Sequence, residues 1–377
     1  MHTKRDPMRF FLFTHSLVSC WNHGNAHFLR GVVRELTARG HAVRVFEPAN
    51  GWSRNNMLAD GGSEEAFRAA FPGMESQTYD PASLDLDAAL DGADMVLVHE
   101  WTDPALVARI GRHRAQGGRY RLLFHDTHHR VVSKPEEMEA LDLSAYDGVL
   151  AFGEVLRQRY LDLGWAGRAW TWHEAADTAL FKPIPDQPEE GDLVWIGNWG
   201  DDERTAELHE FLLEPVKRLK LRARIHGVRY PDTALDALKD AGIRYGGWLP
   251  NHRAPELFAR HRLTVHVPRR PYVQALPGIP TIRVFEALAC GIPLISAPWL
   301  DSEGLFRPGT DFLIARNGKA MVDLIRLVLN CRDLAADLAR NGLETIRRSH
   351  TCAHRVDELL AVCEELGANQ SVKEGIV

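Results

Sequence analysis

Short apolar runs alternate with amphipathic stretches along this chain, stop at a proline-rich segment, and then begin alternating again. Strands are expected at Arg9–Thr14, Ala42–Phe46, Asp94–His99, Tyr120–His125 and Gly148–Phe152. Helices are expected at Ala26–Arg39, Pro104–Arg114 and Glu154–Leu163. Strands joined through helices of this length need crossover connections, which give a parallel sheet covered on both faces. Phe181–Gly191, with Pro183, Pro185 and Pro188, has the composition of a linker. Beyond it, strands are expected at Leu193–Ile196, Arg222–His226, Ile243–Tyr245, Leu263–Val267, Pro293–Ala297 and Phe312–Ala315. Helices are expected at Glu203–Leu219, Ile282–Cys290, Lys319–Leu329, Asp333–Arg348 and Ala353–Leu366, with Gly367–Val377 as a frayed tail. The fold class is therefore α/β, with two doubly wound Rossmann-like domains. They are expected at 8–185 and 191–348, with 349–366 a terminal helix packing back toward the first domain. A chain of 377 residues suits two domains of about 150 each.

The formal charge of −6 supplies no overall basic excess for nucleic acid, so no nucleic-acid partner is expected. The five cysteines are scattered, without Cys-x-x-Cys or zinc-type spacing, which suits a reducing, cytoplasmic setting and no metal site. No apolar run is long enough to cross a bilayer. Leu17-Val18-Ser19-Cys20 imitates a lipoprotein cleavage box, but Thr14 and His15 interrupt the apolar stretch before it, and a strand–loop–helix unit is the expected structure.

In doubly wound sheets the loops leaving the carboxyl ends of the strands build the ligand site. The first carries Asn22, His23 and Gly24 ahead of a helix. It lacks Gly-x-Gly-x-x-Gly, so the dinucleotide fingerprint is absent. His125-Asp126-Thr127-His128-His129-Arg130 offers general acid–base groups, with His125 and Asp126 the candidates. In the second half, Asn198 and Arg204 follow one strand, Arg229 the next, Trp248 and Leu249 a third, and Arg269 and Arg270 a fourth. Thr281, Ile282 and Arg283 then open a helix. Guanidinium groups beside free helix N–H groups are what a diphosphate requires. Glu286, in an otherwise apolar helix, reads either as a partner for Arg283 on the same face or as an acceptor for vicinal hydroxyls such as those of a ribose.

At these residues the chain resembles the GT-B glycosyltransferases of the glycosyltransferases group 1 clan, and within it the CgeB-like (spore maturation protein-like) branch. Gly278-Ile279-Pro280-Thr281-Ile282-Arg283-Val284-Phe285-Glu286-Ala287-Leu288-Ala289-Cys290-Gly291 is similar to the clan's donor-binding helix. Ser349-His350-Thr351 with Arg355 resembles the branch's terminal element, and Asp177–Pro183 the segment before the linker. The resemblance implies a second domain that binds a nucleotide-diphosphate sugar and a first domain, across a cleft, that binds the acceptor. It implies Glu286 on the ribose, Thr281, Ile282 and Arg283 on the diphosphate, Arg204 near a phosphate, and Trp248-Leu249 near the nucleobase. The clan's Glu-x7-Glu pattern is incomplete, because its first glutamate falls at Gly278.

The expected function is sugar transfer from such a donor to a carbohydrate or other hydroxyl acceptor, without metal or cofactor. The resemblance favours retention over inversion, in glycan or surface polysaccharide synthesis, with peripheral membrane association through the acceptor. The alternatives are a nucleotide-sugar epimerase on the same fold and a non-catalytic nucleotide-sugar-binding protein.

Overall fold

A computed structural model describes residues 7–21 and 24–374, with side chains described through Gly367. The chain divides into two compact units. One comprises the N-terminal segment through Ser19, Leu29–His173 and the stretch from Cys352 on; the other comprises Cys20–Phe28 and Glu174–Thr351.

The first unit holds a seven-stranded sheet in the order β3-β2-β1-β4-β5-β6-β7. Its strands are β1 (Arg9–Phe13), β2 (Ala42–Pro48), β3 (Gln77–Tyr79), β4 (Met95–His99), β5 (Arg121–Asp126), β6 (Gly148–Ala151) and β7 (Ala169–Thr171). All pairings are parallel, with Phe10 opposite Val43 on one side and Met95 on the other. Phe10–Phe13, Met95–Val98 and Leu122–Phe124 are buried without alternation, the signature of a sheet covered on both faces. The helix Cys352–Glu374 contributes its Arg355 and Glu365 to this unit. The Trp172 indole donates to the Arg355 carbonyl at 2.8 Å, and Trp170 donates to Glu365 at 2.9 Å. That helix runs on to Glu374, into the stretch expected as a frayed tail.

The second unit repeats the plan with six strands in the order β10-β9-β8-β11-β12-β13. They are β8 (Gly191–Ile196), β9 (Ala223–His226), β10 (Arg244–Tyr245), β11 (His261–His266), β12 (Leu294–Ser296) and β13 (Leu313–Ile314). Every pairing is again parallel, and the order reverses between β8 and β11, where such sheets open a crevice. Leu193, Trp195, Ile225, Leu263, Val265 and Ile295 pack with Leu208, Leu212, Val216 and Ile325 from the flanking helices. The helix expected over Glu203–Leu219 begins at Thr205 and widens into a π-helical turn over His209–Leu213. Pro215 explains the widening, since it lacks the N–H that would continue the regular ladder.

Candidate functional site

A small polar recess opens in the second unit. It is lined by Ile196 at the end of β8 with Gly197 and Asn198 after it, Gly227 after β9, Trp248, Leu249 and Asn251 after β10, Arg283 near the start of helix Ile282–Ala289, and Cys20, Trp21 and Gly24. The strand-derived residues all follow the carboxyl ends of their strands, beside the β8/β11 reversal. Asn198 Oδ1 accepts from the Val228 N–H at 3.0 Å and so ties two of these loops together. Gly24 is there for space. A Cβ at that position would stand 2.3 Å from Ile282 Cγ2, inside any tolerable contact.

Beneath the recess lies Glu286, with 0% exposure. Its carboxylate pairs with Arg283 and accepts from Asn251 Nδ2 at 2.7 Å. His27 Nδ1 lies 3.4 Å from the same oxygen that Asn251 reaches. The Asp177 N–H donates to His27 Nε2 at 2.8 Å, which makes Nε2 the unprotonated nitrogen and turns the ring's own N–H toward Glu286. Burial is the main reason the Glu286 carboxyl is pushed above its ordinary range, with Arg283 and Asn251 opposing. Of the two sequence readings, the structure shows the pairing with Arg283; the enclosed carboxylate bears on the recess only through Arg283 and Asn251. Two polar atoms on the wall, Trp248 Nε1 and Asn251 Oδ1, are buried without a hydrogen-bond partner among the described residues. The wall therefore offers one donor and one acceptor to whatever occupies the recess.

The remaining arginines divide. Arg204 precedes its helix and donates to the carbonyls of Asn198 at 2.5 Å, Val267 at 2.8 Å and Trp199 at 3.4 Å, with its guanidinium 5.0 Å from the Trp195 ring. It braces three loop carbonyls where a free phosphate contact was expected. Burial first, and then the charges of Arg269 and Arg283, pull its pKa down to about 9. The three guanidinium groups therefore share one field. Arg269 is paired with Glu203 at 2.9 Å, Arg270 with Glu207 at 3.4 Å, and Arg229 with Asp201 at 2.7 Å. These acidic partners all come from the loop and helix after β8, and the sequence reading did not anticipate them. Thr281 caps the helix with extended backbone, and its hydroxyl is 3.1 Å from His266 Nε2. Ile282 is buried against Gly24. Gly278 adopts φ +91°, a left-handed geometry, and a Cβ there would meet Ser302 Oγ at 2.5 Å and Glu303 Oε1 at 3.3 Å. No larger residue fits that position without rearrangement.

Asn22 and His23 lie outside the described residues. His125 and Asp126, expected as an acid–base loop in the first unit, are instead the last residues of β5. His125 is 1% exposed, edge-on to His99 and Trp172, and burial lowers its pKa to about 3. Asp126 is 0% exposed and accepts from the Tyr160 hydroxyl at 2.8 Å and the His128 N–H at 3.0 Å. Glu100, paired with Arg130 at 3.0 Å, completes this buried set. A sheet covered on both faces leaves no outward side for strand residues, so the group that emerges is His128, two residues on. Its ring stands 5.3 Å from that of Trp101, which is 38% exposed and stacked by Arg130 at 4.1 Å. Among the described residues, no three His, Cys, Asp or Glu side chains cluster as metal ligands, and no helix is long and apolar enough to cross a membrane.

Solved structures decide the architecture. A sucrose-phosphate synthase from Thermosynechococcus elongatus superposes with a TM-score of 0.67, at 14% identity over 96% of this chain and 100% of that one. HepE from Anabaena, in complex with UDP and glucose, gives 0.68 at 13% identity over 95% and 100%. The fold is that of GT-B glycosyltransferases. An alpha-glucosyltransferase in complex with UDP and a 13-mer DNA also gives 0.68, at 12% identity over 95% and 100%. Residues 204–361, most of the second unit and the first turns of helix Cys352–Glu374, match the family model described as glycosyl transferase-like. No curated protein sequence matches the chain.

Proposed function

We propose that this protein transfers a sugar from a nucleotide-diphosphate donor to a hydroxyl acceptor, with the donor held by the second unit and the acceptor by the first. The observation that carries this reading is the recess after β8, β9 and β10, where Arg283, Asn198, Trp248, Leu249 and Asn251 converge above a buried carboxylate. Nucleobase and ribose would lie along Trp248, Leu249 and Asn251, and the diphosphate against Arg283 and the helix start at Thr281. Arg283, within the shared field of Arg204 and Arg269, would stabilise the charge that develops on the leaving diphosphate. Complexes with UDP and glucose among proteins of this fold support a nucleotide-sugar donor. The terminal His350, Thr351 and Arg355 support the CgeB-like branch.

Retention fits the site better than inversion. The two candidate bases for inversion, His125 and Asp126, are enclosed. In the retaining course the acceptor oxygen bonds to the anomeric carbon as the bond to the diphosphate breaks, and the leaving phosphate oxygen takes the acceptor's proton. Trp101, half-exposed and held by Arg130 beside His128, supports a carbohydrate acceptor, since a sugar ring can stack on an indole while its hydroxyls reach an imidazole. Such an acceptor would place the enzyme in glycan or surface polysaccharide synthesis.

The test is calorimetric binding of UDP-glucose, GDP-mannose and ADP-glucose, followed by nucleotide release. Binding with slow release supports a transferase. Interconversion of the sugar would indicate an epimerase, and binding without turnover a sensor.

A further inference from the structure

Glu286 is already occupied. One of its carboxylate oxygens takes Arg283, and the other takes Asn251 Nδ2 at 2.7 Å with His27 Nδ1 3.4 Å away. Enclosed by these groups and without exposure, it does not itself meet the hydroxyls of a ligand in the recess. Asn251 is placed to do so. It opens the short turn Asn251–Arg253 after β10, lines the recess and is 6% exposed. Its position is fixed twice over, because its backbone N–H donates to Cys20 Sγ at 3.3 Å while its side-chain NH2 donates to Glu286. A carboxylate only accepts, so the bond to Glu286 also sets which way the amide faces. The NH2 turns to the acid, and Oδ1 is left buried without a hydrogen-bond partner among the described residues. A buried carbonyl ordinarily accepts at least one hydrogen bond, and the recess that Asn251 lines is where a donor can reach it.

We propose, resting on the nucleotide-sugar reading of the recess, that Asn251 is the specificity-determining residue for the donor's pentose: its Oδ1 accepts a ribose hydroxyl, and the site rejects a donor that lacks that hydroxyl. Asn251 and Arg283 hold the two oxygens of one carboxylate, so they are neighbours on the wall, and Trp248 and Leu249 come just before Asn251 in the same loop. A nucleoside diphosphate runs in the same order, from charge through pentose to base. With the diphosphate on Arg283, the pentose lies next to it, and the only donors a pentose carries are its hydroxyls. An amide carbonyl suits that place better than a free acid, because it accepts a hydrogen bond without setting a negative charge beside the diphosphate. Glu286 is then a positioning residue, which holds the amide with its carbonyl toward the ligand.

The experiment is calorimetry on the full chain with UDP, GDP and ADP, followed by the 2′-deoxy and 3′-deoxy forms of whichever binds tightest. The wild type should bind one of the two deoxy forms about ten- to a hundredfold more weakly, since the buried carbonyl is then left without its donor. Asn251→Leu, close to Asn in shape, removes the acceptor and should bind the ribose and deoxy forms alike. Where a thermal melt shows Asn251→Leu unfolded, Asn251→Ala takes its place. Equal affinity of the wild type for the ribose form and both deoxy forms, or the full ribose preference kept in a folded Asn251 variant, overturns the role of Asn251 and leaves the donor site standing. If UDP, GDP and ADP all fail to bind the folded wild type, the nucleotide-sugar reading fails and takes this inference with it.

Discussion

Arg283 and Glu286 sit three residues apart on one helix and form an ion pair that spans two environments: the carboxylate has no exposure, while the guanidinium keeps 28% of its surface and lines the recess. The pair aims a positive charge outward from an anchor that water does not reach. Arg283→Leu removes that charge and leaves the acid enclosed, so both stability and ligand binding should suffer. Melting temperature should fall, and UDP-glucose affinity should drop roughly 10²-fold, the loss of one or two charge-assisted hydrogen bonds at about 1.5–3 kcal/mol each. Arg283→Lys keeps the charge without the planar fork and should fall between the two. Calorimetry and a thermal melt read both effects.

Glu286→Ala should weaken nucleotide-sugar binding by a similar roughly 10²-fold, because Arg283 and Asn251 both lose their anchor. Unchanged affinity in a folded Glu286→Ala variant would remove this acid from the site.

Gly24→Ala places a methyl group where Ile282 already stands, so the helix start must move. The expected cost is about 1–3 kcal/mol of stability, with weaker nucleotide-sugar binding as the seat shifts. Chemical denaturation of the variant alongside Gly167→Ala, a glycine with open space around it and no left-handed backbone, separates crowding from a general intolerance.

Acid should unfold the protein partly through its enclosed imidazoles. Burial lowers His125 and His266 to about 3 and His226 to about 4. The unfolded chain binds protons at these sites from about pH 6.5 downward, while the folded one refuses them. Stability is therefore lost as pH falls from about 6.5 toward 3–4. His125→Leu should flatten that loss between pH 6 and 4 in denaturation curves. An unaltered pH dependence would show that His125 titrates normally.

Much of the fold was legible because buried parallel strands announce themselves as unbroken apolar runs: Phe10–Phe13, Met95–Val98 and Leu193–Ile196 all read as strands and are strands. Gln77–Tyr79 and Ala169–Thr171 were missed because they are short, partly exposed edge strands with little burial to impose a pattern. The helix Glu64–Ala70 carries a readable start, Ser63 capping Ala66 with Glu64 and Glu65 in the first turn, but lies between Phe46 and Asp94, where no element was expected. At the candidate site, Arg283, Trp248, Leu249 and Asn198 could be placed from their positions after strands. Asn251 and His27 could not, since nothing local in the sequence says that they meet at Glu286. The arginines at 229, 269 and 270 show the converse limit. A basic residue at a strand's carboxyl end is visible in sequence, but the acid that occupies it, 28 to 66 residues away, is not.

The first unit is assembled from pieces that lie far apart along the chain, and Arg355 joins them: its backbone carbonyl receives Trp172, its guanidinium donates to the His173 carbonyl, and Asp357 on the next turn holds Arg39. During synthesis, then, this sheet waits on the ribosome with one flank open until the closing helix emerges, while the second unit has all its strands by residue 314. Cutting the gene at the proline-rich linker would yield one half without its lid and another without Gly24 and His27, so domain-wise expression needs a permuted chain and not a simple split.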